Sequence, residues 1–467
     1  MDVEVTNPWT GQVEYRYPYQ DQAAVERALE ASNSAFPGWS SLSLEQRAVY
    51  LEKVAGLLEA DKERIAGVMT AEMGKLKREA LSEVEKCANA CRYYARHASD
   101  YLRDQSIATE AERSYVSYQP IGCVLAIMPW NFPLWQVFRF LAPTLMAGNV
   151  ALLKHATNVP RCADAIAEVL GLAGIPPGVF GVLHIDNATA AKVIADPRVH
   201  AVTLTGSEKA GRSVAGTAGG NIKKCVLELG GSDPFVVLDD ADLDLTVPQA
   251  VASRFANAGQ TCIAAKRFIV TAGVADEFIR RFVEAASKLR VGDPGDAAST
   301  LAPMVRADLR DELHAQVERS IAAGAVPLLG CKPLAGASHY PASILDKVAP
   351  GMPAYSEELF GPVASVIRVS DDDEAVRVAN DTSFGLGASV WTRDKARGEA
   401  VARKIRAGAC FVNAIVRSDV RLPFGGTKQS GYGRELAEHG IREFVNIKTV
   451  YVDAARNDKA GAGDVVE

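Results

Sequence analysis

Short apolar segments alternate with segments of helical periodicity over most of this chain, from about residue 121 to about residue 413. The apolar segments in the first half of this region are residues 122–129, 149–154, 179–185, 201–205 and 225–229. Such alternation is typical of βαβ units, in which helices cover a parallel sheet. A second block of the same kind begins near Phe235. We therefore expect an α/β fold with two domains and a ligand site in the cleft between them.

The regions outside these two blocks have other patterns. Apolar residues recur three and four positions apart in residues 22–36, 43–75 and 80–103, so the first hundred residues are predicted to be helical. Residues 115–120 and 444–453 are predicted to be strands. The last segment, residues 455–467, is small and polar, which is typical of a disordered tail.

Composition and charge argue against several classes of protein. The chain has 467 residues, of which 48% are hydrophobic, so it can bury a large core. A net charge of −6 without a block of lysine and arginine argues against a nucleic-acid-binding surface. We expect no secretory signal and no membrane span. Eight cysteines, none in zinc-type spacing with histidine, predict reduced thiols in the cytoplasm and no metal site.

Cys262 is the cysteine whose neighbours best suit a reactive thiol. Gly259 allows the backbone to approach a ligand closely, and Lys266 and Arg267 bring positive charge four and five positions later. Because a cysteine reacts as its thiolate, which nearby cations favour, this segment indicates a nucleophile. The alternative is a buried structural thiol, which is the common state of a free cysteine.

Glu228 and Asn131 are candidates for two further chemical roles. Glu228 stands in the apolar segment 225–229 before two glycines, so in a cleft it would be desolvated and suited to act as a general base. Asn131 lies between two aromatic residues and two prolines, where a rigid amide would stabilise a developing oxyanion. The alternatives are a buried acid paired with a base and a turn-forming asparagine.

Residues 206–213 follow a predicted strand and begin a predicted helix, which is the context of a phosphate site. The segment nearly matches the P-loop pattern G-x-x-x-x-G-K-[ST], but Arg212 stands in place of the lysine. A plain turn at the start of a helix is the alternative. A P-loop nucleotide-binding protein is the competing prediction from another functional class.

Together these segments resemble the aldehyde dehydrogenase superfamily from about Tyr15 to Asp453. The matching motifs are PWNFP at 129–133, LLK at 152–154, TGS at 205–207 with Gly211, LELGG at 227–231, GQTC at 259–262, ELFGP at 358–362, Asn413, PFGG at 423–426 and SG at 430–431. Within the superfamily the chain most resembles bacterial succinate-semialdehyde dehydrogenases. The resemblance implies two Rossmann-like α/β domains, for cofactor and catalysis, and a small β oligomerisation element.

The resemblance also implies domain bounds. The cofactor-binding domain would comprise residues 1–102 and 121–229, the catalytic domain residues 230–435, and the oligomerisation element residues 103–120 and 436–454. This element would pair residues 103–119 with residues 444–452 across a dimer. A homodimer and a homotetramer both remain open.

By resemblance, Cys262 attacks an aldehyde to form a thiohemiacetal, and the Asn131 amide and the Cys262 backbone N–H stabilise its oxyanion. Hydride then passes to a nicotinamide and leaves a thioester, which a water activated by Glu228 hydrolyses. Relatives that form an acyl-CoA typically lack this glutamate, so its presence favours a free acid as product. A catalytically silent relative is the other alternative, and the joint presence of the three residues argues against it.

The resemblance assigns the cofactor contacts to Trp130, Lys154, Thr157, Gly206, Ser207, Gly230, Glu358 and Phe360. Relatives that prefer NAD often have a glutamate where this chain has Thr157. Without that carboxylate, a 2′-phosphate meets no repulsion and a hydroxyl can donate to it. Because Lys154 would add a cation, NADP is the favoured cofactor and NAD the alternative.

The implied substrate contacts are Phe132, Trp135, Arg139, Thr261, Ser418 and Arg421. Arg139 would bind a carboxylate at the far end of the aldehyde, since arginine offers two parallel hydrogen bonds. A surface or interdomain salt bridge is the alternative for Arg139 and for Arg421. Phe132 and Trp135 would supply apolar walls. Succinate semialdehyde is the expected substrate, and glutarate semialdehyde is the competing one.

Overall fold

The computed structural model describes residues 2–453, so the tail predicted to be disordered, residues 455–467, lies outside the described residues. The helices are α1 (Gln22–Ser40), α2 (Leu44–Ala60), α3 (Lys62–Met73), α4 (Lys77–Leu102), α5 (Trp135–Met146), α6 (Pro160–Leu172), α7 (Asn187–Ala195), α8 (Glu208–Gly220), α9 (Leu243–Phe255), α10 (Ala272–Ala286), α11 (Ala307–Ala322), α12 (Pro353–Ser356), α13 (Asp372–Asn380), α14 (Lys395–Lys404) and α15 (Ala437–Arg442). The strands are β1 (Asp2–Thr6), β2 (Val13–Pro18), β3 (Gln105–Ser106), β4 (Arg113–Pro120), β5 (Cys123–Met128), β6 (Val150–His155), β7 (Phe180–Val182), β8 (Val199–Thr205), β9 (Lys224–Glu228), β10 (Asp233–Val237), β11 (Ala265–Thr271), β12 (Val326–Leu329), β13 (Ser343–Asp346), β14 (Val363–Val369), β15 (Ser389–Trp391), β16 (Phe411–Val412), β17 (Gly431–Tyr432) and β18 (Val445–Val452).

A six-stranded sheet in the order β17-β9-β8-β5-β6-β7 organises the first block. β17 is antiparallel to β9, and the other neighbours are parallel. Every residue of β6 is buried, as expected for a strand covered by helices on both faces. Because β17 lies at residues 431–432, this sheet includes a segment that the predicted bounds place in the catalytic domain.

A seven-stranded sheet in the order β12-β13-β14-β11-β10-β15-β16 organises the second block. Its neighbours are parallel except for the antiparallel edge strand β12. Aromatic residues fill its core: Phe235 stacks on Trp391 with 4.8 Å between ring centroids. The two largely parallel sheets confirm the predicted α/β fold.

A small antiparallel sheet in the order β18-β4-β3 joins the two predicted strands outside these blocks. Val445 of β18 lies opposite Pro120 of β4, and Val452 lies opposite Arg113. The pairing predicted across a dimer is therefore made within one chain. It forms because β4 leads directly into β5, and α15, which packs against α4 and α5, returns the chain beside it.

The N-terminal hundred residues differ in two ways from the prediction of continuous helix. Residues 2–18 form the antiparallel hairpin β1–β2, whose turn is closed by the Gly11 backbone N–H donating to the Asn7 carbonyl at 2.8 Å. The predicted helix at residues 43–75 is divided at Asp61, which leaves helical geometry between α2 and α3. Within residues 2–453, no helix is both long and apolar enough to cross a bilayer.

Candidate active site

The loop that carries Cys262 has an unusual backbone between α9 and β11. Asn257, Ala258 and Gly259 are consecutive residues in the left-handed region, with φ values of 53°, 53° and 70°. A non-glycine residue in this region is strained, and such strain persists only where surrounding contacts hold it. A Cβ at Gly259 would overlap the Gly361 carbonyl, so glycine is required there.

The fully buried guanidinium of Arg254 holds this loop. It donates to the carbonyls of Gly259 at 3.0 Å, Leu359 at 3.2 Å and Gly361, and to Ala265 at 3.1 Å. These bonds tie the Cys262 loop to the segment that carries Glu358.

Cys262 carries a half-buried thiol at the wall of the site. Burial raises its pKa to about 11, although the charges of Arg139 and Lys266 act in the opposite direction. Lys266 donates from Nζ to the Cys262 carbonyl at 2.8 Å and forms an ion pair with Glu358 at 3.1 Å. The expectation that local cations favour the thiolate is thus outweighed by desolvation.

Arg267, the second cation predicted to assist Cys262, lies elsewhere. Its guanidinium is buried and donates to the carbonyls of Ser232 at 2.9 Å, Val378 at 2.9 Å and Ala379 at 3.0 Å. It binds three segments of the second block together and offers nothing to the thiol.

Asn131 follows β5, and hydrogen bonds fix both its side chain and its backbone carbonyl. Its Nδ2 donates to the Gln260 carbonyl at 3.0 Å, and its backbone carbonyl accepts from Lys75 at 2.9 Å and from Asn257 at 2.9 Å. Gln136 donates from Nε2 to the Asn131 Oδ1 at 3.1 Å. This last bond directs the amide nitrogen of Asn131 toward the cysteine loop, and Gln136 was not among the residues predicted from sequence.

Glu228 ends β9 and lies buried without a hydrogen-bond partner for either carboxylate oxygen among the described residues. Burial and then repulsion from Glu435 hold its pKa well above the usual range, against the attraction of Arg139. A Cβ at Gly425 would lie 2.7 Å from the Glu228 Oε1, so the carboxylate packs against the Gly425 backbone. A raised pKa suits a group that exchanges a proton near neutral pH.

A cavity of about 550 Å³ brings most of the predicted site together. Cys262 and Asn131 line it, and so do six of the predicted cofactor residues: Trp130, Gly206, Ser207, Gly230, Glu358 and Phe360. Glu228 does not line this cavity, although its neighbours Leu229 and Gly230 do.

The end of the same cavity at the N-terminus of α8 fits a dinucleotide. Ser207 caps α8, whose N-terminal amides face this region and favour an anion. A Cβ at Gly230 would overlap both Glu358 and Glu208, so the wall is open only because residue 230 is glycine. Glu208 Oε1 is buried without a partner among the described residues, which leaves an acceptor for a ligand hydroxyl. Glu208 was not predicted from sequence.

Lys154 and Thr157 lie at and beyond the carboxyl end of β6 and do not line this cavity. Lys154 donates from Nζ to Asn187 Oδ1 at 3.1 Å, and burial lowers its pKa. The Tyr17 hydroxyl donates to the Thr157 carbonyl at 2.9 Å, which fixes the backbone there.

The structure does not leave Arg139 free to bind a substrate tail. Arg139 is only 2% exposed, forms an ion pair with Glu435 and donates to Thr205 Oγ1 at 3.3 Å. Its guanidinium also lies 4.6 Å from the centre of the Phe424 ring. Arg139 therefore belongs to the buried charge cluster beside Glu228. This matches the alternative prediction for Arg139, a salt bridge.

Arg421 also forms a salt bridge, which is the alternative to its predicted substrate contact. Its side chain is exposed and paired with Asp419 at 2.6 Å, outside both cavities of this region. Thr261 is half-buried next to Cys262, with its hydroxyl unpartnered among the described residues. It remains a predicted substrate contact.

Two predicted substrate residues line a second cavity of about 370 Å³, and a third, Ser418, contacts one of them. Phe132 and Trp135 line it, and Trp135 donates from Nε1 to Ser418 Oγ at 3.1 Å. Lys86 of α4 also lines it and donates to the same Ser418 oxygen at 2.6 Å. Lys86 was missed because an isolated lysine on an amphipathic helix has no distinguishing sequence pattern.

The comparisons with known proteins all lead to one family. The model of the aldehyde dehydrogenase family matches residues 1–450. The chain is 49% identical to the probable succinate-semialdehyde dehydrogenase [NADP(+)] of Synechocystis sp., over 97% of this chain and all of that protein. It is 47% identical to the succinate semialdehyde dehydrogenase [NAD(P)+] of Escherichia coli, over 96% of this chain and 97% of that one. The crystal structure of succinic semialdehyde dehydrogenase from Streptococcus pyogenes in complex with NADP+ is similar with a TM-score of 0.95 and 38% identity, covering 97% of this chain and all of that one. The resemblance seen in the motifs is confirmed, and the chain belongs to the aldehyde dehydrogenase family.

Proposed function

We propose that this enzyme oxidises succinate semialdehyde to succinate through a thioester on Cys262, with NADP as cofactor. The observation that carries the proposal is the single cavity in which Cys262 and Asn131 meet the α8 N-terminus and Gly230. It combines a nucleophile, an oxyanion donor and an anion-binding helix end. The relatives named above supply the substrate and cofactor by similarity.

Catalysis begins when the Cys262 thiol loses its proton to water and its sulfur attacks the aldehyde carbon. The oxyanion that forms accepts hydrogen bonds from the Asn131 amide and the Cys262 backbone N–H. Gln136 and the Gln260 carbonyl orient that amide before substrate arrives. Such preorganised donors are effective because they need no rearrangement as charge develops.

A bound nicotinamide cofactor would supply the acceptor for the hydride that leaves the tetrahedral adduct. Ser207, Gly230 and Glu358 would hold it against the cavity wall. Glu228 then takes a proton from a water that attacks the thioester carbon, and the thiol of Cys262 is released with the carboxylic acid. Its raised pKa makes this transfer effective near neutral pH.

Thr157 supports NADP over NAD. Its side chain is neutral, and its backbone is held by Tyr17. A 2′-phosphate near it meets no carboxylate at this position, and the Lys154 ammonium lies at the end of the same strand. NAD is the second cofactor that we propose, on the name of the Escherichia coli relative.

We also propose a homodimer or homotetramer that acts in the cytoplasm, with the domain bounds implied by the motifs. The oligomerisation element is supported by the outer strand β18, where Ile447 and Tyr451 are exposed. An exposed strand edge with apolar side chains is suited to a partner chain. Light scattering after size-exclusion chromatography measures the oligomeric state.

Steady-state kinetics on succinate semialdehyde, glutarate semialdehyde and propanal, each with NADP and NAD, test the proposed function. We expect the highest kcat/KM for succinate semialdehyde with NADP. Equal efficiency with propanal would contradict a carboxylate-tailed substrate, and higher efficiency with glutarate semialdehyde would select that acid instead. An acyl-CoA product on addition of coenzyme A would contradict the hydrolytic step.

A further inference from the structure

Lys75 and Glu83 form an ion pair in the interior of the first block, beside the segment that carries Asn131. Lys75 lies between α3 and α4 and is fully buried, and Glu83 lies in α4 with 4% of its surface exposed. Removing two charges from water is costly, and an apolar pair of similar size often stabilises a protein as well or better. The contacts of the pair, rather than its burial, therefore indicate what it does.

The Lys75 ammonium fixes the backbone at Asn131. Its Nζ donates to the Asn131 carbonyl at 2.9 Å and lies 3.8 Å from the centre of the Phe132 ring. The same carbonyl accepts from Asn257 Nδ2 at 2.9 Å, on the side of the cysteine loop. Because both lone pairs of the carbonyl are engaged, the peptide between Asn131 and Phe132 cannot turn without breaking a bond to a buried group.

Glu83 fixes the beginning of α5, which follows this segment. Its Oε1 accepts the N–H groups of Leu134 and Trp135, each at 2.9 Å. Leu134 is the N-cap residue of α5 and has no polar side chain to cap the helix, so the Glu83 carboxylate takes that place. Gln136 lies in the first turn of the helix and donates to the Asn131 Oδ1. Glu83 therefore acts on the Asn131 amide through α5.

His155 of β6 holds the middle of the segment. Its Nδ1 accepts the Ala156 N–H at 2.8 Å, so its Nε2 carries the hydrogen and donates to the Pro133 carbonyl at 2.8 Å. Burial lowers the pKa of His155 to about 4, so the ring stays neutral at neutral pH and keeps this arrangement. The segment is thus bound at both ends and in the middle by buried side chains.

We propose that Lys75 and Glu83 are positioning residues, which hold the Asn131 amide at a fixed place relative to the Cys262 sulfur. The inference rests on the proposed function. Both residues lie outside the wall of the cavity that Cys262 lines, so they act through the backbone on either side of the Asn131 side chain. An oxyanion donor is effective only where it is aimed at the developing charge, and a displacement of about 1 Å can cost about a hundredfold in rate.

The test measures single-turnover hydride transfer from succinate semialdehyde to NADP in wild type and in K75M/E83Q. The double variant removes both charges together, so no ion is left buried alone, and the glutamine oxygen still accepts from α5. We expect the rate to fall about tenfold to a hundredfold, while the steady-state KM stays within about a factor of two. A raised KM at an unchanged rate would overturn the inference, since it would indicate a direct contact with the substrate.

R47M is the matched control. Arg47 is also a buried cation beside α5, but it donates to the Met146 carbonyl at 3.0 Å, at the other end of the helix. We expect R47M to lower the urea midpoint of unfolding and to leave the rate of hydride transfer within about a factor of two. An equal loss of rate in R47M would overturn the inference, because any disturbance of α5 would then slow the reaction.

Combination with N131A separates positioning from general damage. If Lys75 and Glu83 act through the Asn131 amide, adding K75M/E83Q to N131A changes the rate by less than about twofold. A full further loss would overturn the inference. If N131A slows hydride transfer and K75M/E83Q does not, the inference fails while the proposed function stands. If N131A itself does not slow it, the oxyanion donor of the proposed function fails, and the inference fails with it.

Discussion

Gln136 donates a hydrogen bond from Nε2 to the Asn131 Oδ1 at 3.1 Å, so the orientation of the proposed oxyanion donor is set by a residue five positions later, in the first turn of α5. Without this bond the Asn131 amide would be free to present its oxygen to the cavity. We expect Q136A to lower kcat about tenfold, because the donor is then only part of the time in the productive orientation. N131A removes the donor itself and is expected to cost about a hundredfold to a thousandfold.

Single-turnover hydride transfer, followed by cofactor absorbance, measures this effect. An unchanged rate in Q136A would mean that the Gln260 carbonyl alone orients Asn131.

The half-buried thiol of Cys262, whose pKa is raised by desolvation, predicts a steep pH dependence of alkylation in the free enzyme. With a pKa of about 11, the thiolate fraction rises about tenfold for each pH unit across the neutral and mildly alkaline range. We expect the rate of inactivation by iodoacetamide to rise in this way from pH 7 to pH 10 without a plateau. Mass spectrometry of the labelled peptide assigns the rate to Cys262, with C262A as control. A plateau below pH 8 would show a preformed thiolate.

The buried pair Arg139–Glu435 predicts that a single substitution changes both the free energy of unfolding and the pKa of Glu228. E435Q removes the carboxylate paired with Arg139 and leaves only the Glu228 carboxylate near it, so we expect the free energy of unfolding to fall by up to about 3 kcal/mol. Because Glu435 repels Glu228 and Arg139 attracts it, the pKa of Glu228 should fall in this variant. Its ionised form then persists to lower pH, and the acid limb of thioester hydrolysis moves to lower pH.

Urea unfolding measures the first effect and the pH profile of kcat the second. The double variant R139M/E435L removes both charges and should regain most of the lost stability. An acid limb that moves to higher pH in E435Q would contradict the proposed coupling.

The sequence identified Cys262, Asn131 and the α8 N-terminus because each lies in a short contiguous motif whose chemistry can be inferred locally. It also predicted the strands that bring them together, because buried parallel strands have continuous apolar sequences. Arg139 was assigned to the substrate because its partner Glu435 is distant in sequence and contacts it only in the folded chain. Lys86 was missed for the same reason, since its contact with Ser418 joins distant segments. Gln136 was missed although Asn131 is only five positions away, because nothing in the sequence shows that its amide faces that residue.

Gly230 predicts a cofactor-binding defect that leaves the fold intact. A Cβ there would overlap the carboxylates of Glu358 and Glu208, which must then move into the cavity. We expect G230A to raise the Kd for NADP at least about tenfold, which is the size of effect expected when one charged hydrogen bond is lost. Fluorescence titration of the protein with NADP measures this. G219A is the matched control, because a Cβ at Gly219 meets nothing within 4 Å; a similar loss in G219A would contradict the steric explanation.

Thr157 predicts the direction of a cofactor switch. The Tyr17 hydroxyl holds the Thr157 carbonyl at 2.9 Å, so T157E changes the side chain while the backbone stays in place. A carboxylate there would repel a 2′-phosphate and accept a hydrogen bond from a 2′-hydroxyl. Each interaction would change the binding free energy by about 1.5 to 3 kcal/mol, as for a charged hydrogen bond. We expect kcat/KM with NADP to fall at least tenfold and kcat/KM with NAD to hold or rise. T157S keeps a hydroxyl and should behave as wild type with both cofactors. Equal losses with NADP and NAD in T157E would place the 2′-position of the ribose away from this residue.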